Sequence, residues 1–584
     1  MEPLRSGLHK RQLTRGITPC TLLLLWTISA AAAAPPDTKP SPAVARSSSA
    51  TPQLLAHWPL NGTTENTLNR NATVLLKGKP DTHSDPNSTG FFNNGTWLEI
   101  PADTLPHFSH EDFTISVKVL CDASSTRVTG DLISQYDPTS ARGFHLTLKS
   151  SPGVTSSQAG FRHLQFGIDD QQLTSWQDHG RPGTALLGFS MVEHKGGLFV
   201  GTCQPGKNEA GHVYRYTAPD QWIDCGAPDT SNSVTAMAVF EGQLYAGTGK
   251  YRVAGSSLPE SENVNPGGRI FRYDGDQRWI DCGQLPNTEA VGGMVVFNDR
   301  LFASSLYKPA GFFRFDGQNS WSPLPVPESM DATTRTLTER RVESLTVYEG
   351  HLYAGSYDGG HVYRFDGTTW EDCGQLGDNT QTYSFTQYDG ALYVGTWPSG
   401  RAYRFQSPSQ WIDCGRLGEE LEVMGMMVHN GRLLAGTLPL AEVYEYRGAT
   451  NWTRLTQLDH TPDVRYRRAW TMAEHDGRLF CSTLPSGHIY SVSAGQQVQW
   501  GHPLPPRWCE VIAVRSNDRL TLFVDRKQVA QSPPLKTTAW TLTTQAPLRI
   551  GAGMNGTLNG RLADLRIYRG AVTADSINTL PTAP

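Results

Sequence analysis

Eleven residues with ligand-binding chemistry sit where the chain departs from its own pattern: Tyr251, Tyr307, Lys308, Tyr357, Asp358, His361, Trp397, Arg401, Tyr466, Arg467 and His488. They fall in short polar stretches between apolar segments. Arg340, Arg341, Arg465 and Arg468 stand nearby in "TERRVES" and "DVRYRRAW". Aromatic rings stack on sugar faces, and the guanidinium fork matches the oxygens of a carboxylate or sulfate. Carbohydrate, and an anionic polysaccharide in particular, is therefore the expected partner. The same residue types permit a lyase reaction on uronic-acid glycans, in which His or Tyr removes the proton α to a carboxylate that Arg neutralises. A protein-interaction platform is a third use for such a rim, and solvated loop residues are the bland reading of it. His212, His361 and His488 each follow a Gly at the same place in a pattern, which fits scaffold as readily as base. No paired-carboxylate spacing, nucleophile motif, CxxC, HExxH or EF-hand loop occurs, so the sequence leaves catalysis open and assigns no metal.

What positions these residues is a repeat. "KGGLFVGT", "EGQLYAGT", "NDRLFASS", "EGHLYAGS", "DGALYVGT", "NGRLLAGT" and "DGRLFCST" recur around Leu198, Leu244, Leu301, Leu352, Leu392, Leu433 and Leu479, at intervals of 46, 57, 51, 40, 41 and 46 residues. Each unit opens with an apolar strand such as "SLTVY", turns at a Gly-containing pair, and returns through "LYAGS". It then continues as "HVYRF" and "WEDCG". Asn-Gly and Asp-Gly pairs favour tight hairpins because both residues accept positive φ. Four strands per unit, at this period, predict seven blades of a β-propeller. The units resemble kelch-like propellers in the "YxGxLYxxG" opening and the later Trp, with Gly-Thr or Gly-Ser where kelch repeats carry Gly-Gly. Segment 173–183, with Trp176, Asp178 and His179, copies the last strand of a unit ahead of the first copy. It is the preferred donor of the strand that closes the ring, with "VQWGHPLP" as rival.

The flanks belong together. "LLAHWPLNGT" and "FTISVKV" precede the repeats, while "RLTLFVDRKQV" and the closing "GRLADLRIY" follow them. In this order they resemble one LamG, or concanavalin-A-like, jelly roll, which implies an all-β chain: a concanavalin-A-like β-sandwich with an inserted seven-bladed β-propeller. The expected division is sandwich over 53–172, propeller over 173–505 and sandwich again over 506–584. LamG domains often hold calcium, but no ligand set for it stands out here.

The first residues run from a basic lead through the apolar stretch Cys20–Ile28 to small residues near Ala34. That order predicts a secretory leader over 1–34, a Pro/Ser-rich linker over 35–52 and an exported protein. No later segment is apolar enough to cross a membrane. With 50 Lys and Arg against 55 Asp and Glu, no global basic field invites nucleic acid. N-x-[ST] sequons stand at Asn61, Asn71, Asn87, Asn94, Asn451 and Asn555. Cys225, Cys282, Cys373 and Cys414 share one position of the repeat. Outer strands of neighbouring blades splay beyond the ~7 Å limit of a disulfide, so these four are expected as thiols. Pentraxin-like relatives of the sandwich bridge strands comparable to those of Cys121 and Cys509; that pair, and Cys203 with Cys481, remain open.

Overall fold

The computed structural model describes residues 52–581 apart from 71, 79–90, 93–94, 105–107, 122–129, 150–156, 160–162, 332–333, 518 and 536–539. The expected leader and most of the linker, and the sequons at Asn71, Asn87 and Asn94, lie outside the described residues.

The two flanks interleave strand by strand. In one sheet the order is Gln53–Trp58, Arg561–Arg569, Phe113–Leu120, Cys509–Arg515, Leu520–Val524 and Lys527–Gln531. In the other it is Leu75–Gly78, Thr96–Ile100, Leu548–Ile550, Gly130–Asp137, Arg142–Lys149, His163–Leu173 and Ala494–Pro503. Alternation drives the pairing: Thr96–Ile100 buries every second residue, and the inward rows from both flanks meet in one core around Trp58, Phe113, Phe144, Phe166, Leu522 and Ile567. Neither flank closes that core alone. Residues 494–503, expected in the propeller, belong to the sandwich because Ala494–Pro503 pairs antiparallel with His163–Leu173.

Between those two neighbouring strands the chain leaves and returns. The inner strands of the seven blades are Leu187–His194, Ser233–Phe240, Val291–Phe297, Ser344–Tyr348, Gln381–Tyr388, Glu422–His429 and Arg468–His475. Blade seven has the order Gln177–Asp178, Ile489–Val492, Arg478–Leu484, Arg468–His475. The segment before the first repeat thus supplies the outer strand of the last blade and closes the ring. The first hairpin of blade five turns at Asp389 (φ 46°) and Gly390 (φ 77°), and that of blade six at Asn430 (φ 46°) and Gly431 (φ 84°). These left-handed pairs match the strand twist of a tight hairpin. One piece of the sandwich flank enters the ring: Ser157–Ala159 pairs in parallel with Met237–Val239 of the inner strand of blade two.

Sandwich and propeller share a buried polar junction. Glu474 of blade seven accepts from Lys149 Nζ at 2.6 Å, His429 Nδ1 at 2.8 Å and Gln165 Nε2 at 3.1 Å. Burial alone would raise its pKa, but Lys149 and His429 hold it far below the carboxylate range. Arg432 grips Asp169 at 2.7 and 3.0 Å. These sandwich residues, with His145 and His163, form the outer face of the second sheet, and the propeller covers it.

Candidate functional site

Six of the seven blades fasten themselves to the one before. The indole N–H of Trp222 donates to the His179 carbonyl, Trp279 to Cys225, Trp321 to Cys282, Trp370 to Pro325, Trp411 to Cys373 and Trp452 to Cys414, all at 2.8–2.9 Å. Trp176, at the ring closure, packs against the core shared by blades six and seven, and its Nε1 has no acceptor. Cys225, Cys282, Cys373 and Cys414 are buried free thiols, as are Cys203, Cys481 and Cys509. Burial pushes the Cys373 thiol up to about 12.

The Asp of "W-x-D-C-G" has a repeated task as well. Asp372 accepts from the Gly374 amide at 2.8 Å and from His361 at 2.9 Å. Asp413 does the same for Gly415 at 2.8 Å and Arg401 at 2.6 Å, and Asp178 for Gly180 at 2.9 Å and His488 at 2.8 Å. His212 with Asp224, and Arg269 with Asp281, repeat the pair. His361, Arg401 and His488 therefore serve as clasps between the third and fourth strands of their blades, spread around the ring. Their recurrence after Gly was the sequence signal of this scaffold role.

The other expected residues come together. Tyr251, Tyr307, Tyr357 and Trp397, from the loops between second and third strands, pack half-buried over a floor made by Phe189, Tyr383, Met424 and Trp470. Ring centroids lie 4.8 Å apart for Tyr357 and Tyr383, 4.9 Å for Phe189 and Tyr251, 5.0 Å for Phe189 and Trp470, and 6.1 Å for Trp397 and Tyr466. This aromatic mouth surrounds the ring axis at the starts of the inner strands. The long loop of blade two leans into it through buried Val253, held by Glu260, which accepts from the Val253 amide at 3.1 Å.

Most of the charge around the mouth is already engaged. Arg341 forks onto Asp358 at 2.7 and 3.0 Å. Burial would raise Asp358, but this pairing overcomes it and holds the carboxyl below its usual value. Lys308 is an exposed neighbour whose charge acts in the same direction. Arg340 turns away into the hairpin before blade four, where its Nε donates to Ser329 at 2.8 Å. Arg252 lies over Tyr307 at 4.3 Å and pairs with Glu289 at 2.8 Å. Arg467 donates from Nε to the Thr461 carbonyl at 2.7 Å, and Arg465 stacks on Tyr466 at 4.7 Å.

Arg468, one of the arginines marked in the sequence, reaches the mouth together with two residues that the sequence did not mark, Glu343 and Glu422; all stand at or beside the first positions of their inner strands. All three are buried. Burial raises Glu422 to about 7, against the pull of the Arg468 charge. Burial lifts Glu343 well above the carboxylate range, with Arg341 opposing. For the two glutamates the sequence signal was charge standing where other inner strands begin with Leu, Ser, Val or Gln.

Elsewhere, a cleft of about 340 Å³ opens between sandwich and propeller, lined by Tyr136, Asp389, Arg549 and Met554. Among the described residues no group of three or more His, Cys, Asp or Glu could hold a metal. Nor is any described helix long and apolar enough to cross a membrane. Asn61 and Asn451 are exposed, whereas Asn555 is buried and donates through its amide and side chain to Asp131 at 2.7 and 3.2 Å.

Residues 451–578 match the family of the concanavalin A-like lectin/glucanases superfamily. That match starts in the outer strand of blade six, while the sandwich strands after the insertion start at Ala494. No curated protein matches the chain. Among solved structures, YCF48 from Cyanidioschyzon merolae is similar with a TM-score of 0.38 and 12% identity, over 55% of this chain and 99% of that one. The WD40 β-propeller domain of Doa1 gives 0.37 and 10%, over 55% and 97%. The extracellular domain of BT4673, a two-component system from B. thetaiotaomicron, gives 0.39 and 13%, over 60% of this chain and 52% of that one.

Proposed function

We propose that this chain is an exported carbohydrate-binding protein that takes an acidic glycan at the propeller mouth. The observation that carries the reading is the grouping of Tyr251, Tyr307, Tyr357, Trp397 and Tyr466 around one axis. Half-buried rings with arginines beside them offer both stacking and charge to a sugar acid. The concanavalin A-like lectin/glucanase match supports a carbohydrate ligand for the molecule as a whole. The mouth is favoured over the sandwich because the outer face of the second sheet is spent on the junction with the propeller.

A glycan array tests it. The protein is expected to bind uronate-containing glycans, and Trp397→Ala should weaken neutral and acidic sugars alike by roughly tenfold, the contribution of one stacked ring. An array without any bound glycan, or a Trp397→Ala variant that binds as the parent does, would defeat the proposal.

A further inference from the structure

Arg468 is an anomaly. Only 7% of its surface is exposed, and its Nε and Nη1 have no acceptor. Buried guanidinium groups are ordinarily paired, because an uncompensated charge away from water is costly. Here the compensation is partial: the group lies 5.5 Å from the ring of Trp470 and 5.7 Å from that of Tyr466. Cation–π attraction of that kind holds a charge in place but fills none of its N–H donors. Arg252, Arg341, Arg401 and Arg467 each have an oxygen partner. Two acceptors close to the axis are left over as well, Oε1 of Glu422 and Oε1 of Glu343.

We infer that Arg468 is the anchor for the carboxylate of a single uronic-acid residue seated on the ring axis, with Glu422 and Glu343 receiving its hydroxyl groups. The inference rests on the reading of the mouth as a carbohydrate site and names the acidic sugar and its contact there. A carboxylate is the complement of a guanidinium with unfilled donors, and sugar hydroxyls are the complement of carboxyl oxygens that lack donors. Glu422 carries its proton up to about 7, so it leaves the Arg468 charge available. Tyr466 and Trp397, in edge contact at 6.1 Å, offer the wall for the sugar face.

The test uses the full chain, oligogalacturonate and its methyl ester, which keeps the shape and removes the charge. Calorimetric titration should show the acid binding at least about tenfold tighter than the ester, the worth of one charge-assisted contact. Arg468→Gln should bring that ratio to about one, through a larger loss of affinity for the acid than for the ester. Because the guanidinium makes no Nε or Nη1 hydrogen bond in the free protein, Arg468→Gln should melt at the parent's temperature or above. Arg468→Lys, which keeps the charge and loses the fork, should restore part of the ratio. An Arg468→Gln variant that keeps the acid preference, or one that melts several degrees lower, overturns the inference. Binding of neutral sugars with no preference for the acid overturns it too, yet leaves the carbohydrate reading standing; binding of no glycan defeats both.

Discussion

His163 and Asp131 pull stability in opposite directions over the same pH range. Burial lowers His163 from 6.5 to about 4, so its contribution is complete above 6.5 and lost as pH falls through 4. Burial raises Asp131 from 3.8 to about 7, so its contribution is complete below 3.8 and lost as pH rises through 7. Between about 4.5 and 6.5 the two slopes offset, each near 1.4 kcal/mol per pH unit. Urea unfolding across that range should show His163→Gln tilting the stability curve downward with rising pH and Asp131→Asn tilting it upward. Equal slopes in parent and variants would refute the assignment. At this scale the sequence was legible only in part. Tyr251, Tyr357 and Trp397 stood out because they break the repeat, but Glu422 did not, and the burial of Arg468 was not foreseen, since nothing in a linear string separates a buried charge from a solvated one.

Each blade-to-blade fastening rests on one indole N–H, which makes it separable from ring packing. Trp411→Phe keeps an aromatic ring and loses the bond to the Cys373 carbonyl, at an expected cost of about 1 kcal/mol. Trp176→Phe loses no hydrogen bond, because Nε1 has no acceptor, and should cost measurably less. Chemical denaturation of the two variants side by side decides; equal losses would mean that ring volume, and not the fastening, sets the effect. The blades themselves were readable from Leu198 to Leu479, since residues that pack in the same way recur at the same place. The mouth was readable as a set of loop residues that break the repeat but not as a packed cluster, because it takes different residues from different blades, and only ring closure brings them together.

For the whole molecule the junction decides how the parts behave. Lys149→Met would strand Glu474 among buried groups with only His429 and Gln165 beside it, and removal of one partner from a buried ion pair typically costs 3–5 kcal/mol. Calorimetry should show one unfolding transition in the parent and a lower, broadened or split one in Lys149→Met; an unchanged profile would mean that sandwich and propeller unfold independently. The split sandwich was legible from its terminal motifs, "HWPLNGT" and "GRLADLRIY", whereas the polar junction was not. The interleaving of flanks also sets a timetable for the nascent chain. Leu173 waits for Ala494, roughly 320 residues later, which at a synthesis rate of about 5–20 residues per second is on the order of half a minute. Gln177–Asp178 waits equally long for Ile489–Val492. Arg561–Arg569, the strand that joins Gln53–Trp58 to Phe113–Leu120, emerges after all of these. Through that interval Phe113–Leu120 and His163–Leu173 stand with open edges, because their partners Cys509–Arg515, Arg561–Arg569 and Ala494–Pro503 are not yet made, and an open edge is a template for mispairing.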